Sequence, residues 1–243
     1  MTDLGGGPLL EVVVQHDRDV PGCLEGGADR ITLDVGGRSP DLPTASSVLR
    51  AAGGEVAVRV VLRLDDSYTT SGAGLTRMVG LAEEYLSLGA DGVVLGFLDA
   101  DLEVDVETTV ALARSLPGVP WTFHRAVDLT LDPRRSWRRL LFLPGLTAVA
   151  SGGSPQGLTH GFDDLLTLAA GDPDVARLLM PDGDLTPEHV PWLTRAGVRQ
   201  FRVGPQVRPG GSRDADRAYV DGSLVRSWRR LLDDAPPAVA AVP

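Results

Sequence analysis

The 243-residue chain contains no lysine; all 23 of its basic residues are arginine. Without a side-chain amine there is no Schiff-base chemistry, which removes lysine-dependent aldolases and pyridoxal-phosphate enzymes. Cysteine is almost absent as well. Cys23 alone permits no internal disulfide, no Cys-x-x-Cys redox pair and no thiolate cluster. With Met78 and Met180 the only methionines after the first residue, soft metal ligands are scarce. No apolar run approaches the roughly 20 residues of a membrane span. The opening MTDLGGGPLL lacks the basic flank and small-residue cleavage site of a signal peptide, so a cytoplasmic location is expected. A net charge of −10 opposes binding to nucleic-acid phosphates or anionic lipid, both of which need clustered positive charge. The glycine-rich runs match neither the dinucleotide-binding nor the P-loop pattern, which argues against a nucleotide cofactor.

What is present is an eightfold alternation. Short apolar, β-branched runs at 9–14, 30–33, 57–62, 92–95, 121–124, 146–150, 177–180 and 199–203 read as strands, most of them separated by enough chain for a helix. Gly27-Ala28-Asp29-Arg30, Gly89-Ala90-Asp91-Gly92 and Gly197-Val198-Arg199-Gln200 each precede a strand, the glycine closing a helix in the left-handed conformation. Asp132-Pro133 and Thr186-Pro187-Glu188 read as helix starts. The length and the repeat predict a single (β/α)8 barrel over residues 1–234, with a doubly wound open sheet as the alternative. The Pro- and Ala-rich stretch 235–243 is expected to be a disordered tail.

Side chains alternate across a strand, so turning the large apolar residues towards the helices fixes which residues line the barrel. Val58, Val60 and Leu62 outward put Arg59, Val61 and Arg63 inside. By the same parity Glu11, Val13 and Gln15, then Arg30, Thr32 and Asp34, then Thr122 and His124, and Gln200 and Arg202 face inward. Branched aliphatics fill an ordinary barrel, so charges on this many inward positions must pair or bind something polar at the mouth. Glu11, Arg30, Arg59 and Gln200 lie early in their strands and read as a structural network, such as Glu11 with Arg59.

Chemistry is expected at the strand ends. Trp121-Thr122-Phe123-His124-Arg125-Ala126-Val127-Asp128 is an apolar run ending in an imidazole, a guanidinium and a carboxylate. His124 is the candidate general acid or base, with Asp128 or Asp34 orienting it. Arg63, Arg125 and Arg202 are candidates to hold an anion, and Ser151-Gly152-Gly153-Ser154 could add backbone N–H groups, Ser151 and Gly152 first among them. No metal ligand set stands out. Asp99 and Asp101 fit a helix-leading turn better than a hard-cation site, and Pro181-Asp182-Gly183-Asp184 reads as a tight turn. Trp137 and Trp228 sit among arginines in helical segments, where Trp–Arg stacking on the outer surface is expected, with room for a homodimer interface.

At these residues the chain resembles the CutC family. The matching segments are Leu10-Glu11, Gly27-Ala28-Asp29-Arg30, Gly89-Ala90-Asp91-Gly92 running into Gly96-Phe97-Leu98-Asp99-Ala100-Asp101, Phe123-His124-Arg125-Ala126-Val127-Asp128, Asp132-Pro133, Ser151-Gly152-Gly153 and Tyr219-Val220-Asp221-Gly222. They occur in family order over residues 9 to 226. The resemblance implies a (β/α)8 barrel, a cytoplasmic location and a link to copper homeostasis. The departures are confined to the interior. Where typical members carry cysteines this chain has Val13, Val14 and Asp34; family glutamates correspond to Thr32 and Gln200; family histidines correspond to Arg59 and Arg202; and an Arg-Pro-Arg-Gly-Gly stretch survives only as Arg63-Leu64-Asp65-Asp66. Metal-ligating groups are lost and permanent cations gained, a change that favours an anionic ligand over copper. Three readings stand at this point: a copper-homeostasis protein, a barrel enzyme acting on a small anionic metabolite through His124, and a catalytically silent oligomeric barrel.

Overall fold

The alternation of apolar runs and capped helical stretches closes into a barrel. The computed structural model describes residues 7–211 and 218–237. In chain order the elements are β1 (Leu9–Val14), α1 (Val20–Gly26), β2 (Arg30–Leu33), α2 (Leu42–Ala52), β3 (Ala57–Val61), α3 (Gly72–Ser87), β4 (Gly92–Leu95) and α4 (Val106–Ser115). They continue with β5 (Trp121–Phe123), α5 (Pro133–Leu140), β6 (Leu146–Ser151), α6 (Leu158–Gly171), α7 (Pro173–Leu178), β7 (Leu179–Pro181), α8 (Val190–Arg195), β8 (Gln200–Val203) and α9 (Gly222–Asp233). Each paired strand runs parallel to its neighbour, in the order β7-β6-β5-β4-β3-β2-β1-β8, so consecutive strands are adjacent and the doubly wound alternative is excluded. No backbone ladder joins β7 to β8 among the described residues. Side chains bridge that seam instead: Gln200 Nε2 donates to the Arg177 carbonyl at 3.1 Å, and Arg202 Nη1 to Asp182 at 3.3 Å.

The strand parity holds. Leu10, Val12, Val14, Ile31, Leu33, Val58, Val60, Trp121, Phe123, Phe201 and Val203 pack into the continuous core between sheet and helices. Inside the barrel, Ala148, Ala150 and Met180 form a small separate cluster beside the buried Glu11, Arg30, Thr32, Arg59, Thr122 and Arg202. Gly27, Gly89 and Gly197 adopt φ of 80°, 106° and 96°, the left-handed closures their repeat predicts.

Three expectations change. The seventh strand begins at Leu179 rather than Arg177, because Asp172 caps Pro173–Leu178 into a second helix between β6 and β7, its carboxylate accepting from Asp174 N–H and Val175 N–H. Trp137 and Trp228 are buried in the core rather than stacked on surface arginines; the exposed tryptophan is Trp192, with the Arg195 guanidinium 5.6 Å from its ring centre. Of the expected tail, residues 235–237 are described and Ala235 packs against the core, while 238–243 lie outside the described residues.

Candidate functional site at the barrel mouth

Register decides how the interior charges pair. The Cα partners of Glu11 are Arg30 on β2 and Arg202 on β8, so its carboxylate sits between two guanidiniums. Arg30 Nε donates to Oε2 and Arg202 Nε donates to Oε1 at 2.6 Å. The expected Glu11–Arg59 pair does not form, because β2 separates the two strands and the Cα partner of Arg59 on β2 is Thr32. Arg59 donates instead to the Thr122 hydroxyl and to Thr147 Oγ1 at 2.6 Å, across the barrel floor. Burial alone would raise the Glu11 carboxyl, yet Arg202, Arg30 and Arg59 more than offset it and hold it far below the usual carboxylate range. Arg59, two of whose charged neighbours are also arginines, is pushed down to about 9 by burial and Arg30. Gln200 completes the layer, accepting from Arg30 Nη2 at 3.2 Å and donating to the Thr147 carbonyl at 2.9 Å.

Arg202 and Arg125, expected to hold an anion, are already engaged. Besides Glu11, Arg202 reaches Asp182 and the Thr32 hydroxyl, the latter at 3.5 Å. Arg125 Nε donates to Asp128 at 2.9 Å and its Nη2 to the Ser154 carbonyl at 3.0 Å. Ser151 and Gly152 do meet an anion, and it is the chain's own: Asp128 accepts from Ser151 Oγ at 2.6 Å and from Gly152 N–H at 2.9 Å. Asp128 therefore ties the end of β5 to the end of β6 and does not orient His124.

His124 is held by backbone. The short 3-10 turn Arg125–Leu129 places Ala126 N–H 3.1 Å from His124 Nδ1, so Nδ1 is the acceptor and the ring proton sits on Nε2. That Nε2 is buried and has no hydrogen-bond partner among the described residues. Burial, then the nearby charges of Arg63 and Arg202, push the imidazole down to about 3. At neutral pH it is an N–H donor with no free basic nitrogen. With Nδ1 accepting from Ala126, the ring presents Nε2–H as a hydrogen-bond donor, an arrangement that favours polarising an oxygen over the general-base role.

Three groups complete the mouth. Arg63 makes no ion pair among the described residues. Its guanidinium lies 4.3 Å from the Tyr68 ring centre, its Nη atoms donate only to the Gly37 and Asp66 carbonyls, and its Nε is unpartnered. Tyr68 in turn packs edge-on against His124, ring centres 5.5 Å apart. Asp34 accepts one hydrogen bond, from Gly37 N–H to Oδ1 at 2.6 Å, and does not bond His124. Burial raises the Asp34 carboxyl, with Gly37 N–H and Arg202 opposing and Asp182 adding to the rise. Asp182, whose turn reads as structural in the sequence, directly follows β7 and reaches the site through Arg202. A second ion pair absent from the sequence reading, Asp19 with Arg208 at 2.7 and 2.8 Å, is buried and ties the segment after β8 to the segment after β1. Only their fold-dependent proximity marks them.

Residues 8–203 match the CutC family. The chain belongs to that family. A family protein CutC from Klebsiella pneumoniae strain 342 is 31% identical over 231 residues, covering 85% of this chain and 90% of the relative. A mouse protein named copper homeostasis protein cutC homolog is 28% identical over 230 residues, 90% of this chain and 80% of its own length. The solved CutC structure from Streptococcus agalactiae superposes with a TM-score of 0.69 at 22% identity, over 81% of this chain and 98% of the other.

The donors in this CutC chain do not fit copper. Cys23 is fully buried in α1, its thiol pushed up to about 12 by burial and by Asp19. The Met180 sulfur accepts from Arg30, Met78 lies in the core, and His124 is flanked by two arginine charges. Among the described residues no three His, Cys, Asp or Glu side chains are placed to share a metal ion. The Asp99 turn is likewise capped from within, Oδ1 accepting from Asp101 and Glu103 N–H. A groove of about 690 Å³ opens outside the barrel between α5, α6 and α7. It is lined by the Asp128–Ser151 latch, whose hydrogen bonds are already made, and by side chains of α5 and α6 such as Arg134, Arg138 and Asp164.

Proposed function

We propose that this CutC-family barrel binds a small anionic ligand at its mouth and serves copper homeostasis, the role its relatives are named for, without coordinating copper itself. The observation that carries this reading is the His124 Nε2–H, fixed in tautomer by Ala126, buried and unpartnered among the described residues, and linked through the Tyr68 ring to Arg63, a mouth arginine that makes no ion pair among them. A buried donor left unsatisfied costs about 1–3 kcal/mol, a cost that an arriving acceptor removes. The Arg63 guanidinium supplies the charge, and Arg202 adds a positive field while remaining bonded to Glu11. Arginine and a neutral imidazole N–H recognise oxyanions and have little affinity for Cu(I). The absence of a membrane-crossing helix among the described residues fits a ligand met in water.

Two titrations test this. Calorimetry with oxalate and inorganic phosphate should show binding to the purified protein that His124→Ala and Arg63→Ala each weaken at least tenfold. Anaerobic competition for Cu(I) against a chromophoric chelator should show no stoichiometric transfer to the protein. Tight copper binding lost in His124→Ala, without anion binding, would overturn the reading.

A further inference from the structure

Asp34 is a carboxylate at the mouth with one oxygen that has no hydrogen bond among the described residues. Asp128 is occupied by Ser151, Gly152 and Arg125, and Asp182 accepts from Arg202 and from Gly183 N–H. Asp34 uses only Oδ1, towards Gly37; Oδ2 has no hydrogen bond among the described residues. The residue ends β2 as His124 ends β5, and with β3 and β4 between them the two side chains address the mouth from separated staves. Contacts link them: the Gly37 whose N–H bonds Asp34 also accepts from Arg63 Nη1 at 3.4 Å, the Arg63 guanidinium lies over the Tyr68 ring, and that ring packs edge-on against His124, so Asp34, Arg63 and His124 border one space. That space therefore holds a carboxylate able to take a proton, an N–H placed to give a hydrogen bond, and a guanidinium that makes no contact ion pair among the described residues.

We propose that the mouth catalyses proton abstraction next to a carbonyl, with Asp34 as the base, the His124 Nε2–H polarising the carbonyl oxygen and Arg63 holding the substrate's anionic group. This rests on the anion-binding reading and adds a reaction to it. Asp34 Oδ2 takes the proton from the carbon beside the carbonyl. The C–H electron pair becomes the C=C bond of an enolate, and the carbonyl π pair moves onto the oxygen facing His124. When the Asp34 carboxyl trades the abstracted proton for one from solvent water and delivers that to the same carbon, the result is exchange; return to the neighbouring carbon of an α-hydroxycarbonyl, with transfer of the hydroxyl proton, gives its isomer. No electrons leave the substrate and no co-reactant is needed. Burial raises the Asp34 carboxyl towards the working pH, which improves it as a base, while the neutral imidazole keeps its proton and stabilises the enolate by a hydrogen bond. The substrate class is a small α-keto or α-hydroxycarbonyl acid or phosphate.

The test follows loss of the C3 proton signals of pyruvate and hydroxypyruvate in D2O by ¹H NMR, with oxalate as the binding probe. Because the chain has no lysine, exchange through a side-chain imine is excluded. Exchange by the wild-type protein should exceed buffer at least tenfold for one of the two acids. Asp34→Asn, which keeps an acceptor for Gly37 N–H, should abolish exchange while oxalate binding stays within threefold; His124→Ala should lose both. Wild-type protein that binds oxalate yet exchanges neither acid, or Asp34→Asn that exchanges like wild type, overturns the reaction and leaves the binding site standing. Failure to bind oxalate or phosphate and to exchange either acid overturns both.

Discussion

In the proposed site the His124 imidazole is the hydrogen-bond donor, and its acid–base behaviour can be checked without a ligand. Its folded pKa of about 3 lies below the ordinary histidine value, so the unfolded chain binds the proton more readily. This stabilising contribution is complete above pH 6.5 and is lost as pH falls from there towards 3. The melting temperature of wild type minus that of His124→Asn should therefore shrink across this window; a constant difference would mean that the ring titrates normally. Glu11 behaves in the same direction at lower pH, since its depressed carboxyl contributes stability that fades only below about 4.5. Glu11→Gln leaves Arg30 and Arg202 without their counter-charge and should cost about 3–5 kcal/mol in denaturant unfolding. Arg59→Ala should cost less, about 1–3 kcal/mol, by leaving Thr122 and Thr147 without their donor. In double-mutant cycles Glu11 should couple more strongly to Arg202 than to Arg59; the reverse order would contradict the observed register.

At the scale of elements, glycine and one carboxylate set how neighbouring pieces meet. Gly22 and Gly26 let α1 lie against the start of α9: a Cβ on Gly26 would stand 2.3 Å from the Val225 side chain, and one on Gly22 would stand 2.2 Å from the Val220 carbonyl. Gly26→Ala should therefore lower the melting temperature by several degrees, as overpacking of about 1–3 kcal/mol does in a domain of this size; an unchanged melting temperature would show the helix pair to be looser than described. Asp128→Ala removes the two hydrogen bonds between the ends of β5 and β6, as well as the local pair with Arg125, and should expose Gly152 N–H to rapid hydrogen exchange. How much of this was legible in the sequence follows from its range. Strands and their inward faces were legible, because period-2 alternation is local and Val58-Arg59-Val60 or Trp121-Thr122-Phe123 admits one parity. The identity of the Glu11 partner was not, since register between strands is a tertiary fact, and neither was the Asp128–Ser151 latch across 23 positions. The α7 helix was missed because Arg177–Met180 reads equally as strand, and only the Asp172-Pro173 cap decides against it.

Taken as a whole molecule, the protein keeps the CutC barrel and lines its interior with Glu11, Arg30, Arg59 and Arg202. A barrel floor built on Glu11 with Arg30 and Arg202 costs desolvation, and that cost is met by pairing within the layer rather than by a bound ion. The net charge of −10 repels small anions at long range, so a ligand is drawn in only close to the mouth, where Arg63 and Arg202 dominate. Raising ionic strength to about 0.5 M should therefore weaken oxalate binding only modestly, and a collapse of affinity would place the anion on the outer arginines instead.

The most direct measurement is the ring ¹⁵N spectrum of His124 at pH 7, followed as oxalate is added. The expected result is a neutral ring protonated on Nε2 before addition, with a saturable Nε2 shift on binding that is absent in Arg63→Ala. A ring that titrates near 6.5, or a neutral ring that oxalate leaves unmoved, would contradict the site.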